Sequence, residues 1–165
     1  MEIQKKMQDA LNGQINNEFY SAYMYLAAAG YFEGLNLRGF AQWFKTQAEE
    51  EKRHGMKIFD YIYERNGEVN LTLIQAPKAG WKSPLSVVEE AYQHEQKVTK
   101  MIHDLLFFAR KEQDLATEVF LQWFVKEQIE EEDSTRYILE KLKILDDSRS
   151  GLQLLDTELG ARKKE

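Results

Sequence analysis

The sequence predicts an all-α protein: a four-helix bundle with one long crossover between helices two and three, plus a short fifth helix at the C-terminus. Four long segments carry apolar residues at the spacing of one helical face. Pro77 and Pro84 are the only prolines, and both lie between the second and third segments, so long helices can run on either side. The 165 residues suit a single domain, with the bundle at about 3–145 and the last helix at about 150–160.

The first two helices are expected at residues 3–32 and 38–65. Gly34 and a short turn should separate them, and Asn66-Gly67 is a typical pair at a helix end. Because this link is short, the two helices should be antiparallel neighbours.

The third helix should begin near Ser83, a candidate N-cap followed by proline, and end near Lys111. Ser86 offers an alternative start one turn later. Asp114 should cap the fourth helix, which is expected to run to about Leu145, antiparallel to the third.

The link between helices two and three, about residues 67–82, is much longer. Extended chain advances about 3.3 Å per residue against about 1.5 Å in a helix, so this link can return along the whole bundle. Two antiparallel helix pairs joined in this way form one of the known bundle topologies. The short last helix should follow Gly151, with three leucines on one face: Leu152, Leu155 and Leu159.

Composition excludes several classes of function. The chain has no cysteine, so disulfides and iron–sulfur clusters are ruled out, and a bound metal must use oxygen ligands or histidine. A net charge of −6 does not suit nucleic-acid binding. No apolar run is long enough for a membrane span, and the N-terminus lacks the apolar core of a signal peptide. We expect a cytoplasmic protein with no nucleic-acid or membrane partner.

Each of the four long helices carries a glutamate near the middle of its apolar face: Glu18, Glu51, Glu95 and Glu131. Burying a carboxylate is costly unless a cation compensates it. No lysine or arginine falls on these faces, and His54 is the one nitrogen ligand there. A pair of metal ions is the natural counter-charge, and carboxylates with one imidazole suit iron or manganese.

Taken singly, each glutamate is more simply interpreted as a boundary residue whose head group reaches water. Four at mid-helix, with a histidine in phase, favour a metal site instead. Two spacings agree: Glu51 and His54 lie three residues apart on one face, and Gln128 and Glu131 occupy the equivalent positions on the fourth helix.

Other residues near the apolar faces have simpler interpretations. Tyr25 is in phase with Glu18, and we expect it to pack in the core or to act as a redox-active neighbour of the metals. Trp43 and Trp123 are expected in the core. Five polar residues are interpreted as solvated helix surface by default: Glu50, Glu127, Glu130, His94 and His103.

Four segments in order carry a resemblance over nearly the whole chain: NEFYS at 17–21, EEEKRH at 49–54, HEQ at 94–96, and FLQWF at 120–124 followed by EQIEEE at 127–132. Together they resemble the non-haem ferritins of bacteria and archaea. The resemblance implies a ferroxidase that oxidises Fe(II) with dioxygen or hydrogen peroxide. It also implies storage of the product as a ferric oxide mineral in a hollow shell of 24 identical subunits, with the fifth helix near the four-fold axes.

The resemblance further implies the roles of individual residues. Glu18, Glu51 and His54 would hold the first iron, and Glu51 would bridge to a second iron held by Glu95 and Glu131. A third iron site, Gln128 as a hydrogen-bond partner for bound oxygen species, and Tyr25 beside the first iron are also implied. The third site would be formed by four glutamates: Glu50, Glu127, Glu130 and Glu131.

Bacterioferritins are similar but bind haem through a methionine just after the second-helix glutamate. Lys52 stands at that position, so we expect no haem.

Two other classes of protein stay open at this stage. A di-iron oxidase acting on an organic substrate would need a pocket beside the irons. A structural or partner-binding bundle would tolerate leucine at Glu95 or Glu131.

Overall fold

The computed structural model describes residues 1–161, which form five helices and no strand. The predicted all-α class, the order of the helices and the long link between the second and third are confirmed. Within these residues no helix is long and apolar enough to cross a membrane. The helices in chain order are α1 (Lys5–Gly34), α2 (Arg38–Glu64), α3 (Pro84–Lys111), α4 (Leu115–Leu145) and α5 (Arg149–Gly160).

Side-chain caps begin α3 and α4 as the sequence predicts. The Ser83 hydroxyl accepts a hydrogen bond from the Ser86 amide at 3.2 Å, and the Ser86 hydroxyl accepts one from the Ser83 amide at 3.1 Å. This reciprocal pair starts α3 at the earlier of the two expected positions. Asp114 accepts a hydrogen bond from the Thr117 amide at 3.1 Å and caps α4.

The two terminal helices differ from their predicted bounds. α1 includes Gly34, the glycine expected to close it, and Asn36 makes the turn at φ 57°. Gly151 lies inside α5 instead of before it. The Ser148 hydroxyl accepts a hydrogen bond from the Gly151 amide at 3.2 Å, so the helix begins at Arg149 and includes this glycine.

The helices pair as two antiparallel hairpins, α1 with α2 and α3 with α4. The Ile3 amide donates to the Arg65 carbonyl at 2.9 Å, which places the start of the first hairpin beside its end. Arg110 and Glu118 form an ion pair at 2.7 Å across the turn of the second hairpin.

The crossover runs along α1, held by amide side chains that lie one helical turn apart. Four residues of helix advance about 6 Å and two residues of extended chain about 6.6 Å, so the two repeats match. Successive amides therefore bond successive parts of the crossover, at 2.8–3.3 Å: Gln8 bonds residue 68, Asn12 bonds residues 68 and 70, and Asn16 bonds the carbonyls of residues 72 and 73.

Two apolar clusters fill the two ends of the bundle, and a polar layer lies between them. In the first, the Phe32 ring stacks on those of Phe40 and Phe44 at centroid distances of 4.7 and 5.3 Å. The second contains fully buried side chains such as Ile58 and Leu121. The mid-helix glutamates therefore lie deep in the bundle, with apolar packing on both sides.

α5 docks on the start of α2. The Asp156 carboxylate accepts a hydrogen bond from the Phe40 amide at 2.9 Å and caps α2 from another helix, because the N-cap residue Leu37 has no polar side chain. A Cβ at Gly39 would lie 1.6 Å from the Asp156 carbonyl oxygen, so the two backbones touch. Three leucines pack α5 against the first apolar cluster: Leu152, Leu155 and Leu159.

Candidate metal centre

The four mid-helix glutamates meet in the polar layer, one from each helix of the bundle. Each lies on the core-facing side of its helix, and their exposed fractions are between 1% and 4%. His54 joins them from α2 at 4% exposure. The structure therefore brings together the five residues whose spacing pointed to a metal site: Glu18, Glu51, His54, Glu95 and Glu131.

Three overlapping groups of side chains could each hold one ion. Within each group, one ligand atom from each residue lies within 4.8 Å of the others. Glu51 belongs to the first two groups, as a bridging ligand would. The groups are Glu18–Glu51–His54, Glu51–Glu95–Glu131, and His54–Glu127–Glu131.

His54 faces acids through both ring nitrogens. Its Nδ1 lies 3.5 Å from Glu51 Oε2 and 3.9 Å from Glu18 Oε2, and its Nε2 lies 3.7 Å from Glu127 Oε1. An imidazole can ligate through either nitrogen, so His54 is placed to serve the first group or the third.

Two carboxylate oxygens in this layer, Glu18 Oε2 and Glu51 Oε1, are buried and have no hydrogen-bond partner among residues 1–161. Such groups are rare in folded proteins because each costs the desolvation of a polar atom. Both oxygens belong to the first group of potential ligands. A cation bound there would supply the missing partner, so the donor set fits a hard metal ion such as iron.

Three carboxyl groups of the layer have raised pKa values, so near neutral pH they either hold protons or need bound cations to balance their charge. Burial, with the charge of Glu18 nearby, raises the pKa of Glu95 to about 7. Burial, with the charge of Glu95, raises the pKa of Glu131 to about 8, and the same two causes raise the pKa of Glu51 well above its usual value. Metal binding must therefore displace protons from this layer near neutral pH.

Tyr25 is fully buried, and its hydroxyl donates a hydrogen bond to Glu95 Oε1. Burial and the nearby charge of Glu95 raise the pKa of the phenol well above its usual value. The core packing expected for Tyr25 is present, together with direct contact with a candidate ligand.

Three of the four carboxylates accept a hydrogen bond from a glutamine amide. The sequence singled out Gln128 alone, and its Nε2 donates to Glu95. Gln14 and Gln47 were missed, although both are uncharged amides on otherwise apolar faces, which was the available signal. The three bonds are Gln14 Nε2 to Glu18 Oε1 at 2.7 Å, Gln47 Nε2 to Glu131 Oε2 at 2.6 Å, and Gln128 Nε2 to Glu95 Oε2 at 3.2 Å.

The neighbouring acids differ in burial. Glu50 is only 8% exposed, so its interpretation as solvated surface is wrong. The Glu127 side chain is 28% exposed and approaches His54, which makes it a boundary residue. Glu130 is exposed, as the surface interpretation expected, and belongs to none of the three groups found among residues 1–161.

Two further surface and core assignments need correction. His94 is half-buried beside α1, so it is a boundary residue and not the exposed one that was expected. Its Nε2 lies 2.7 Å from Ser21 Oγ, and burial lowers its pKa to about 4. His103 is exposed, as expected. Trp43 is buried, but Trp123 is 38% exposed and packs edge-on to His54 at 5.5 Å, so it lies at the rim of the core.

A four-helix bundle with a layer of buried carboxylates and one histidine at its centre is the architecture of the ferritin-like class of proteins. Comparison with known families agrees: a family model described as the ferritin-like domain matches residues 8–145. A bacterial non-heme ferritin from Bacteroides fragilis is 39% identical over 160 residues, covering 97% of this chain and 99% of the relative. One from Staphylococcus aureus is 38% identical, covering 97% and 96%.

Solved structures give the same result. An open pore ferritin from the hyperthermophilic archaeon Archaeoglobus fulgidus shares 48% identity at a TM-score of 0.97, covering 98% of this chain and 100% of that one. An engineered closed form of the A. fulgidus ferritin shares 47% identity at a TM-score of 0.98, covering 99% and 100%. The chain belongs to the ferritin family.

Proposed function

We propose that this protein is an iron-storage ferritin, which oxidises Fe(II) to Fe(III) at a two-ion centre and keeps the product as a ferric oxide mineral inside a hollow shell. The observation that carries the proposal is the sharing of Glu51 between two adjacent ligand groups, beside two buried carboxylate oxygens without a partner. The five residues that would hold the ions are Glu18, Glu51, His54, Glu95 and Glu131.

In this proposal two ferrous ions bind as substrates and displace the protons that Glu95 and Glu131 hold near neutral pH. Anionic oxygen ligands stabilise the higher charge of the ferric product, which lowers the cost of removing an electron. Each ferrous ion loses one electron. Dioxygen takes two electrons and two protons to become hydrogen peroxide, or hydrogen peroxide takes two of each to become water.

The remaining site residues have supporting roles in the proposal. Glu127 extends the centre on the far side of His54 and would begin the route of the ferric product toward the cavity. Glu50 and Glu130 would complete this third site with Glu127 and Glu131. Tyr25 and Gln128 both donate hydrogen bonds to Glu95 and would hold it in place during oxidation.

The shell is proposed to contain 24 copies of the chain in the cytoplasm. The support is family membership and the extent of the likeness, since relatives described as open pore and closed ferritins superpose on nearly all of this chain. α5 would then lie near the four-fold axes. Its docking through Asp156 and Gly39 gives it a defined position within one subunit.

The test loads the metal-free protein with Fe(II) without oxygen, admits air, follows ferric absorbance, and separates the product by gel filtration. Glu51→Ala should slow oxidation by at least about tenfold, because the side chain serves both ligand groups. Glu49→Ala, at an exposed neighbouring position, is the matched control and should oxidise iron at the wild-type rate.

Rapid oxidation, with many more than about two irons per chain kept in a very large particle, would support oxidation and storage together. Uptake that stops at about two irons in a small oligomer would instead identify a di-iron enzyme with an organic substrate. Undiminished oxidation by the Glu51→Ala variant would overturn the proposed centre.

A further inference from the structure

Two buried glutamines outside the proposed ligand set hold carboxylates that belong to different ions. We propose that Gln14 and Gln47 are positioning residues for the two subsites of the centre. Gln14 serves the subsite that contains His54, formed with Glu18 and Glu51. Gln47 serves the subsite that contains only carboxylates, formed by Glu51, Glu95 and Glu131. The inference rests on the proposed two-ion centre and deepens it, by assigning residues that set the affinity of each subsite separately.

Gln14 is fixed at both ends of its amide. Its Nε2 donates to Glu18 Oε1 at 2.7 Å, and its Oε1 accepts a hydrogen bond from Asn17 Nδ2 at 3.3 Å. The second contact determines which end of the amide faces Glu18, so the side chain acts there as a donor. Because Glu18 Oε1 accepts this hydrogen bond, Glu18 Oε2 is the oxygen left free to bind an ion. Glu18 Oε2 has no hydrogen-bond partner and lies 3.9 Å from His54 Nδ1.

Gln47 performs the corresponding task across the bundle. It is fully buried on α2, and its Nε2 donates to Glu131 Oε2 on α4 at 2.6 Å. The other oxygen of Glu131 is thereby left for the group that Glu131 forms with Glu51 and Glu95. Gln47 lies one turn before Glu51 on the same face of α2, so it lies beside the ligands and not among them.

A neutral amide suits this role better than a charged donor. It restrains one carboxylate oxygen while leaving the negative charge of the layer available to the ions. A positive donor would compete with the metal for that charge. Removing a residue that hydrogen-bonds a metal ligand typically changes metal affinity by about 10- to 100-fold. Gln14 bonds a ligand of the group that Glu18 forms with Glu51 and His54, whereas Gln47 bonds a ligand of the group that Glu131 forms with Glu51 and Glu95. The main effect of each variant should therefore fall on a different subsite.

The experiment titrates the assembled, metal-free protein with Co(II) in a calorimeter under nitrogen. The binding phase that His54→Ala removes is assigned to the subsite that contains His54. Gln14→Met should weaken that phase by about 10- to 100-fold and leave the other unchanged, and Gln47→Met should do the reverse. Methionine keeps the length of the side chain and removes the donor.

Gln96→Met, an exposed change one residue after Glu95, is the matched control and should leave both phases at wild-type affinity. Gln47→Asn provides a second variant that keeps an amide but shortens its reach. It should reproduce the selective loss of Gln47→Met even if the latter does not fold.

A purely structural role gives a different result. Equal weakening of both phases in both variants, in proportion to a fall in melting temperature, would overturn the inference, and so would unchanged affinity in either variant. A wild-type protein that binds no pair of Co(II) ions would overturn the two-ion centre itself. These outcomes separate failure of the positioning role from failure of the proposed function.

Discussion

Glu95 and Glu131 make the stability of the metal-free protein depend on pH. Their pKa values of about 7 and about 8 in the folded state exceed the value of about 4.3 expected in the unfolded chain. Between these limits the unfolded chain binds fewer protons than the folded one, so the free energy of unfolding falls as pH rises from about 5 to about 8. Melting temperatures of the metal-free protein should fall across this range.

Glu131→Gln supplies the control for this pH dependence, because it removes one of the carboxyls whose pKa is raised and keeps the shape of the side chain. Its melting temperature should fall less steeply with pH than that of the wild type. Parallel curves for the two proteins would show that these carboxyls do not control the effect.

Asp146 adopts a backbone conformation that suits glycine. Its φ of 49° and ψ of −128° lie outside the regions open to residues with a Cβ, at the junction of α4 and α5. Asp146→Gly should therefore stabilise the protein by about 1 kcal/mol in chemical denaturation. Asp147→Gly, at the exposed next position, should give no gain because it only adds freedom to the unfolded chain.

Between elements, α5 contacts α2 through a hydrogen bond and a close approach of backbones, in addition to the packing of its leucines. Asp156→Ala should cost about 0.5–2 kcal/mol, the usual effect of removing a helix cap, and should speed proteolysis of α5. Gly39→Ala should act more strongly, because its Cβ would overlap the Asp156 carbonyl oxygen. Gln153→Ala on an exposed position of α5 should leave proteolysis unchanged.

Helical periodicity and caps predicted the elements well, because Ser83, Asp114 and the Asn66-Gly67 pair have local effects that the sequence displays. Gly151 was wrongly expected before α5 because glycine suggests a break, whereas the bond from its amide to Ser148 outweighs the low helix propensity of glycine. The path of the crossover follows from its length, but its attachment to α1 needs long-range contacts that no local pattern shows.

Across the whole molecule, two apolar clusters are separated by a layer of acids that the metal-free fold tolerates at a cost. Replacing three buried acids together with the three donors that bond them should raise the stability of the metal-free protein by about 1–4 kcal/mol, because the layer becomes apolar and no buried donor loses its acceptor. The variant combines Glu51→Met, Glu95→Leu, Glu131→Leu, Tyr25→Phe, Gln47→Leu and Gln128→Leu. The same variant should lose iron oxidation and any rise in melting temperature on adding Zn(II). A less stable variant would contradict this account of the layer.

The central ligands were predictable because four carboxylates on apolar faces, without a nearby lysine or arginine, are costly to bury and therefore conspicuous. Gln14 and Gln47 carry a weaker signal, since an uncharged amide on an apolar helix face fits many environments. His94 was misplaced for a related reason: it lies off the apolar stripe of α3, yet α1 covers part of its side chain. Burial between two helices depends on their packing, which periodicity within one helix does not specify.

The matched repeats of α1 and the crossover limit where insertions and deletions can be accepted. Adding one residue between 68 and 70 would turn the backbone amide of residue 70 away from Asn12, because successive residues of an extended chain face opposite sides. Residues 74–80 make no such backbone bonds to the amides of Asn12 and Asn16, so added length can form a bulge there. Variation in loop length among proteins built like this one should therefore concentrate in the second half of the crossover.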